Sequence, residues 1–259
     1  MKKIISLTLI AAMLISLAGC GAKTSESDLE YIKNKGTLVV GITDFAPMDY
    51  KDDSGEWIGF DADLGRKVAE DLGVKVEFVE IDWDNKILEL DNKSIDCVWN
   101  GMTLTDEVKN SMNCTKPYCK NAQVVVVKAD NVDKAKDEAG VASLSIAVEA
   151  GSAGEAAAEE KGWNYTALTA QADALMEVEA GASDACIIDL LMAGAMIGEG
   201  TSYTDLTHTI ELTEEEYGVG CRKGSDLTAF LDEEFAKFAG DGSLETVAEK
   251  YGVQYALIK

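Results

Sequence analysis

The sequence predicts an α/β fold built as two units, each a mainly parallel sheet with helices on its faces, and three observations point there. Short apolar segments of strand character alternate with amphipathic helical segments along most of the chain. A helix–turn–strand passage recurs, because Leu88-Glu89-Leu90-Asp91 with Asp96 aligns without a gap to Met176-Glu177-Val178-Glu179 with Asp184. Pro47 and Pro117 are the only prolines, so no proline-rich linker separates the halves and short strand-like crossings are expected to join them. Any two βα units share such a pattern, so similarity by chance is the alternative reading of the repeat.

Each element follows from local chemistry. Ser27 can cap a short helix running to Lys35, which Gly36 ends. Leu38–Ile42 reads as a buried strand. Asp61–Leu72 reads as a helix, with Leu64, Val68 and Leu72 on one face, Asp61 at its cap and Gly73 beyond its end. Val74–Phe78 alternates as a half-buried strand, Asn85–Asn92 is helical, and Ile95–Trp99 is a third strand. In the second half, Val124–Val127, Leu144–Val148, Tyr165–Thr169 and Ala185–Ile188 read as strands, with helices at Ser152–Lys161 and Ala170–Ala180. A strand at Gly218–Cys221 and two amphipathic helices, Asp226–Ala239 and Ser243–Lys250, complete the chain.

The first residues address the compartment. Lys2 and Lys3 precede an apolar run from Ile4 to Leu17, and Leu17-Ala18-Gly19-Cys20 places small residues before a cysteine. That order is a secretory signal, and the run is too short for a bilayer core of about 30 Å. The tetrapeptide resembles the bacterial lipobox, which implies cleavage after residue 19, diacylation of Cys20 and attachment to the extracytoplasmic face of the cell membrane. An ordinary cleaved signal with an incidental cysteine is the alternative. Gly21–Ser27 is then a small polar tether.

Removing residues 1–19 with their two lysines takes the formal charge from −24 to −26. Such an acidic surface repels phosphate backbones, so nucleic acid is excluded as a partner. Besides Cys20 there are Cys97, Cys114, Cys119, Cys186 and Cys221, with no C-x-x-C spacing, and His208 is the sole histidine. Neither a metal site nor a cofactor is expected, and buried free thiols are the plainer reading of the cysteines.

Ligands of open parallel sheets bind beyond the carboxyl ends of the strands. The residues leaving these strands are therefore the candidates: Thr43, Asp44 and Phe45; Asn100, Gly101, Met102 and Thr103; Glu149, Gly151 and Ser152; and Asp189. They supply an aromatic wall, hydroxyls, backbone amides and carboxylates, a mixture that suits a small zwitterion. An ammonium would pair with Asp189 or Asp44, and a carboxylate would take N–H groups at the start of the helix near Ser152. Each has a plainer role available. Gly151-Ser152 and Asp189 can serve as helix caps, and Phe45 and Trp83 as core aromatics.

Gly36-Thr37-Leu38-Val39-Val40-Gly41, Gly59-Phe60-Asp61-Ala62-Asp63-Leu64, Gly101-Met102-Thr103-Leu104-Thr105, Tyr217-Gly218-Val219-Gly220-Cys221-Arg222-Lys223-Gly224 and Asp241-Gly242-Ser243-Leu244 occur in that order. Together they resemble the polar amino-acid-binding proteins of ABC importers, a resemblance that spans Leu29–Tyr251. It implies two Rossmann-like lobes of the type II periplasmic-binding-protein fold, crossed twice by the chain. Lobe 1 would be residues 37–118 plus 217–259 and lobe 2 residues 119–216, after a signal peptide (1–19) and a tether with a short helix (20–36). Position by position, Phe45 and Trp83 are similar to the family's stacking aromatics. Asn100, Gly101 and Thr103 match the segment that bonds the ligand's carboxylate and ammonium. Ser152 and Ala153 match the amide-donating helix start, and Asp189 the ammonium-holding carboxylate.

Two departures stand out. The family's arginine five residues after the Thr103 position is Val108 here, which leaves Lys109, Lys116 or Lys120 to replace it, or a ligand other than a standard α-amino acid. The segment between Gly36 and Pro47 is one residue shorter than the family pattern, which leaves Asp44 without a firm counterpart.

The resemblance implies a monomer that binds without chemistry, closes at crossings near Cys119–Ala122 and Thr213–Tyr217, and docks on an ABC permease. A fold-related dehydratase of small carboxylic acids, using Glu149 or Asp189, and a sensory ligand-binding domain are the rival readings.

Overall fold

In the computed structural model, residues 27–258 are described; the signal, lipobox and Cys20 readings lie outside the described residues. The described residues open with helix α1 (Asp28–Lys35), capped by the Ser27 hydroxyl, which accepts the N–H of Glu30 at 3.1 Å. There follow β1 (Thr37–Ile42), a hairpin of β2 (Tyr50–Lys51) and β3 (Trp57–Ile58), α2 (Phe60–Leu72), β4 (Lys75–Glu80), α3 (Lys86–Asp91), β5 (Cys97–Val98), α4 (Asp106–Ser111) and β6 (Asn113–Cys114). Strand β7 (Cys119–Asn121) carries the chain into a second unit. That unit comprises β8 (Gln123–Lys128), α5 (Glu138–Val141), β9 (Ile146–Glu149), α6 (Ala153–Glu160), β10 (Tyr165–Leu168), α7 (Gln171–Ala180), β11 (Ala185–Asp189), α8 (Leu190–Met196) and β12 (Leu206–Glu211). The return runs through β13 (Glu215–Tyr217) and β14 (Gly220–Cys221) to α9 (Leu227–Asp241) and α10 (Ser243–Tyr251).

Two five-stranded sheets result, in the orders β4-β1-β5-β14-β6 and β10-β9-β11-β8-β12. The expected parallel pairs form half of each: β1 with β4 and β5, and β9 with β10 and β11. The other half is antiparallel, so the sheets are mixed. The crossings account for this. β7 and β13 pair antiparallel, Cys119 opposite Tyr217, so the chain enters and leaves each unit in opposite directions, and the strands beside the crossings run against the βαβ strands.

Both faces of each sheet are covered, which is why the central strands are apolar without a gap. Val124 and Val126 of β8 pack with Leu175, Val178 and Leu191, while Val125 and Val127 pack with Val141, Ala158 and Trp163. In the first unit, Leu38, Val40 and Ile42 meet Phe60, Leu64 and Val68 of α2, and Leu231 and Phe238 of α9 close the same core. Tyr118 and Phe235 stack with centroids 5.0 Å apart.

The repeat has a geometric counterpart. Asp96, just before β5, accepts the N–H of Val39 at 2.7 Å, and Asp184, just before β11, accepts the N–H of Ser145 at 3.0 Å. Each carboxylate fastens the loop between a helix and a strand to the start of the neighbouring parallel strand.

Asp61 does not cap α2. The helix starts one residue earlier, after Gly59, and the buried Asp61 carboxylate accepts the N–H of Gly101 and the phenol of Tyr118, each at 2.7 Å. All five described cysteines are free. Cys97 and Cys221 sit opposite each other on β5 and β14, and burial holds the Cys221 thiol up at about 12.

Candidate functional site

The carboxyl ends of β1, β5, β9 and β11 converge on one cavity of about 270 Å³ between the two units. Twelve of the thirteen candidate residues line it: Thr43, Phe45, Trp83, Asn100, Gly101, Met102, Thr103, Glu149, Gly151, Ser152, Ala153 and Asp189. Asp44 does not. It is exposed and lines a separate groove with Pro47, Tyr50 and Tyr251. The chain bends at this residue, just past the end of β1, so Thr43 and Phe45 face the cavity and the residue between them faces out.

A chain of buried hydrogen bonds sets the first unit's wall. Asn100 Oδ1 accepts both the N–H and, at 2.8 Å, the hydroxyl of Thr43, and Asn100 Nδ2 donates to Asp49 Oδ2 at 3.0 Å. Gly101 has φ +54°, and a Cβ there would lie 2.6 Å from the Phe45 ring, so glycine is required on both counts. Burial pushes Asp61 up to about 7 against the pull of Tyr118 and Gly101, and burial with the nearby Asp61 charge holds Asp49 well above the usual carboxylate range.

Met102–Leu104 is tied to the second crossing. Leu104 N–H donates to Glu216 O at 2.9 Å, Gly218 N–H to Met102 O at 3.0 Å, and the Thr103 hydroxyl to Glu215 Oε2 at 2.9 Å. Glu215 Oε2 also accepts from Asn121 at 3.2 Å and Gln123 at 3.0 Å. Those two amides continue to Asp189, which further accepts from Gln171 at 2.5 Å and the Tyr217 phenol at 2.6 Å. Four donors thus converge on one buried carboxylate. Burial, and then the Glu215 charge, still raise it to about 7.

Glu149 ends β9 and is just as buried, but its Oε1 has no hydrogen-bond partner. Burial, followed by repulsion from Asp189, lifts it to about 8, opposed by Lys86. Ser152 caps α6 by accepting the N–H of Glu155 at 3.1 Å, and Glu155 reaches back to the Gly151 N–H at 2.6 Å. The amide of Ala153, a first-turn residue in the cavity wall, has no intrahelical acceptor.

The two units touch here. Gly151 has φ +69°, and a Cβ on it would lie 2.8 Å from Asp84 Cα of the first unit. The Lys86 ammonium donates to Trp83 O at 3.2 Å and, across the gap, to Gly151 O at 2.8 Å. Sequence reasoning missed Lys86 and Gln171, both buried and both lining the cavity. Lys86 stands three residues after Trp83, one helical turn on, and that spacing was the available signal. Val108 lies buried in the wall, while Lys109, Lys116 and Lys120 are exposed outside the cavity. His208 is exposed on β12, away from it.

Comparison with known proteins agrees with this fold. Over 94% of both chains the sequence is 27% identical to the L-cystine-binding protein TcyJ of Escherichia coli K12. Over 97% of both it is 30% identical to the ABC transporter glutamine-binding protein GlnH of Bacillus subtilis 168. The crystal structure of an ancestral amino-acid-binding protein, described as a precursor of cyclohexadienyl dehydratase, superposes with a TM-score of 0.79 at 33% identity. That match covers 87% of this chain and 99% of the other. The model of the bacterial extracellular solute-binding proteins, family 3, matches residues 38–254, and the chain belongs to that family.

Proposed function

We propose that this protein captures a small zwitterionic amino acid or derivative between its two units and delivers it to an ABC importer. One observation carries the reading: strand ends of both sheets enclose a single cavity of about 270 Å³, a size suited to one small molecule. Relatives that bind L-cystine and glutamine on this scaffold support it.

Within the cavity, Phe45 and Trp83 would flank the ligand. Thr103 and Asn100 would position it, and the first-turn amide at Ala153 would meet its carboxylate. Asp189 already accepts four donors. The open acceptor is Glu149 Oε1, which is the better placed partner for an ammonium. The units divide at the paired crossings, with residues 37–118 and 217–259 in one and 119–216 in the other. Closure is selected because ligand contacts from both units coexist only when they meet. Acylation of Cys20 would hold the protein beside its permease.

The test is a thermal-shift screen of ligand-free protein against the twenty common amino acids and L-cystine. A ligand at 100 times its Kd adds about 2.7 kcal/mol of stability. No shift with any of them, together with X-ray scattering that no candidate alters, overturns the reading. Cys20→Ala is expected to release the protein from membranes; a variant that remains acylated removes the anchor.

A further inference from the structure

We propose that Lys86 reads the ligand's carboxylate and, through the same ammonium, latches the two units around it; this rests on the ligand-capture reading above. Lys86 is 6% exposed and lines the cavity from the first turn of α3. Its ammonium carries three N–H donors, of which two go to the carbonyl oxygens of Trp83 and Gly151. Both acceptors are neutral, and among the described residues no carboxylate pairs with it. A buried cation without an anionic partner is costly, and burial lowers its proton affinity while more distant carboxylates such as Glu107 and Glu149 raise it. The Trp83 ring, its centroid 5.1 Å from the ammonium, offsets part of that cost; an anion in the cavity would relieve the rest, and the third N–H has no hydrogen-bond acceptor among the described residues.

The place fits a carboxylate for a second, independent reason. Gly151 O, which Lys86 grips, lies two residues before α6, whose first-turn N–H groups attract negative charge. Val108 occupies the wall where an arginine would have served, and the three lysines that sequence reasoning offered as substitutes point elsewhere. Glu149 Oε1, unpartnered in the same cavity, supplies the complementary site for an ammonium. The pocket is therefore built for a molecule carrying both charges, and a diamine lacking a carboxylate fits it poorly. Opening the units breaks the contact to Gly151, so reading the carboxylate and closing are one event.

The experiment is a double-mutant cycle. The probe is the amino acid that wild-type protein binds tightest, out of the twenty common ones and L-cystine, together with its carboxamide (the bis-amide for L-cystine). Kd values are measured by calorimetry, the weak ones by competition. In wild type, amidation is expected to weaken binding about 30-fold or more, the scale of a charge-assisted hydrogen bond. Lys86→Met is expected to weaken the parent probe similarly, and amidation should then cost at most about 3-fold more. Lys86→Arg, which keeps a cation, should retain the discrimination in part, and Lys86→Gln replaces the Met variant if circular dichroism shows the latter unfolded. Additive losses, or an unchanged Kd in the Met and Gln variants, overturn the assignment to Lys86 and leave ligand capture standing. Binding of none of the probes by wild type overturns capture itself and this inference with it.

Discussion

The phenol of Tyr217 donates to Oδ1 of Asp189 at 2.6 Å, joining the second crossing between the units to a carboxylate in the cavity wall. Tyr217 is fully buried, and its ring also meets Phe45 edge-on at 6.4 Å. One side chain therefore touches the hinge, the aromatic wall and the acidic floor. Tyr217→Phe keeps the ring and deletes the donor. It is expected to lower unfolding stability by about 1 kcal/mol and ligand affinity by about 3- to 10-fold. Urea titration and calorimetry check both; unchanged affinity would separate the hinge from the pocket.

Acid should stabilise the ligand-free protein. Glu149 is raised from 4.5 to about 8, and Asp61 and Asp189 from 3.8 to about 7, chiefly because burial penalises their charged forms. The native state then holds protons that the unfolded chain releases above pH 4 to 4.5. Stability falls as pH rises through that window toward 8, by at most about 1.4 kcal/mol per pH unit for each carboxyl. Melting curves from pH 5 to pH 8 should show Tm declining, and Glu149→Gln should flatten the upper end. A wild-type Tm that climbs between pH 6 and 8 contradicts the assignment.

Gly151→Ala is expected to hold the units apart. The new Cβ would lie 2.8 Å from Asp84 Cα, a backbone atom of the other unit, and relief requires separation. The left-handed backbone adds about 1–2 kcal/mol of local strain. Affinity should drop at least about tenfold by the same contact loss. Scattering of ligand-saturated variant should keep the radius of gyration of the empty protein, and a normal contraction would show that the contact is dispensable.

Arg222 carries a test of stability remote from the cavity. Its guanidinium is bonded to Asp28 at 3.1 Å, Asp96 at 3.5 Å, Ile95 O at 2.6 Å and Leu90 O at 3.2 Å. Arg222→Met strands the buried Asp28 carboxylate, takes one of the partners of Asp96 and should cost about 3–5 kcal/mol. Lys35, 2.7 Å from Asp96, limits the loss on that side. Urea midpoints of ligand-free protein measure it, with ligand affinity expected to stay within about 2-fold because the site lies elsewhere.

Much of this was legible in the residues. Helix α1 was read end to end, since Ser27 and Gly36 are strong local signals, and α7 ends at Gly181 for the same reason. Four apolar residues in a row fixed β8. Strand β12 was missed, because Leu206-Thr207-His208-Thr209-Ile210-Glu211 is half exposed at a sheet edge and carries a bulge. The candidate site was legible wherever a strand ended, and Asp44 failed because chain order does not give the side to which a residue turns. Asp61 resembled a cap in sequence, although its carboxylate serves Gly101, forty residues on. Lys86 escaped notice because a lysine on a helix reads as solvated until the opposite unit, brought by the fold alone, covers it.

The fastening of helix α1 has a mechanical consequence. Ser27 donates to Asp226 at 2.5 Å, Leu29 N–H donates to the same carboxylate at 3.0 Å, and Asp28 is held by Arg222. Residues 27–29 are thus fastened to the residue that precedes α9 and to the arginine that follows β14, and none of these bonds goes to the β7–β13 ribbon. A pull at residue 27 would therefore load the unit that contains α1 before it loads that ribbon.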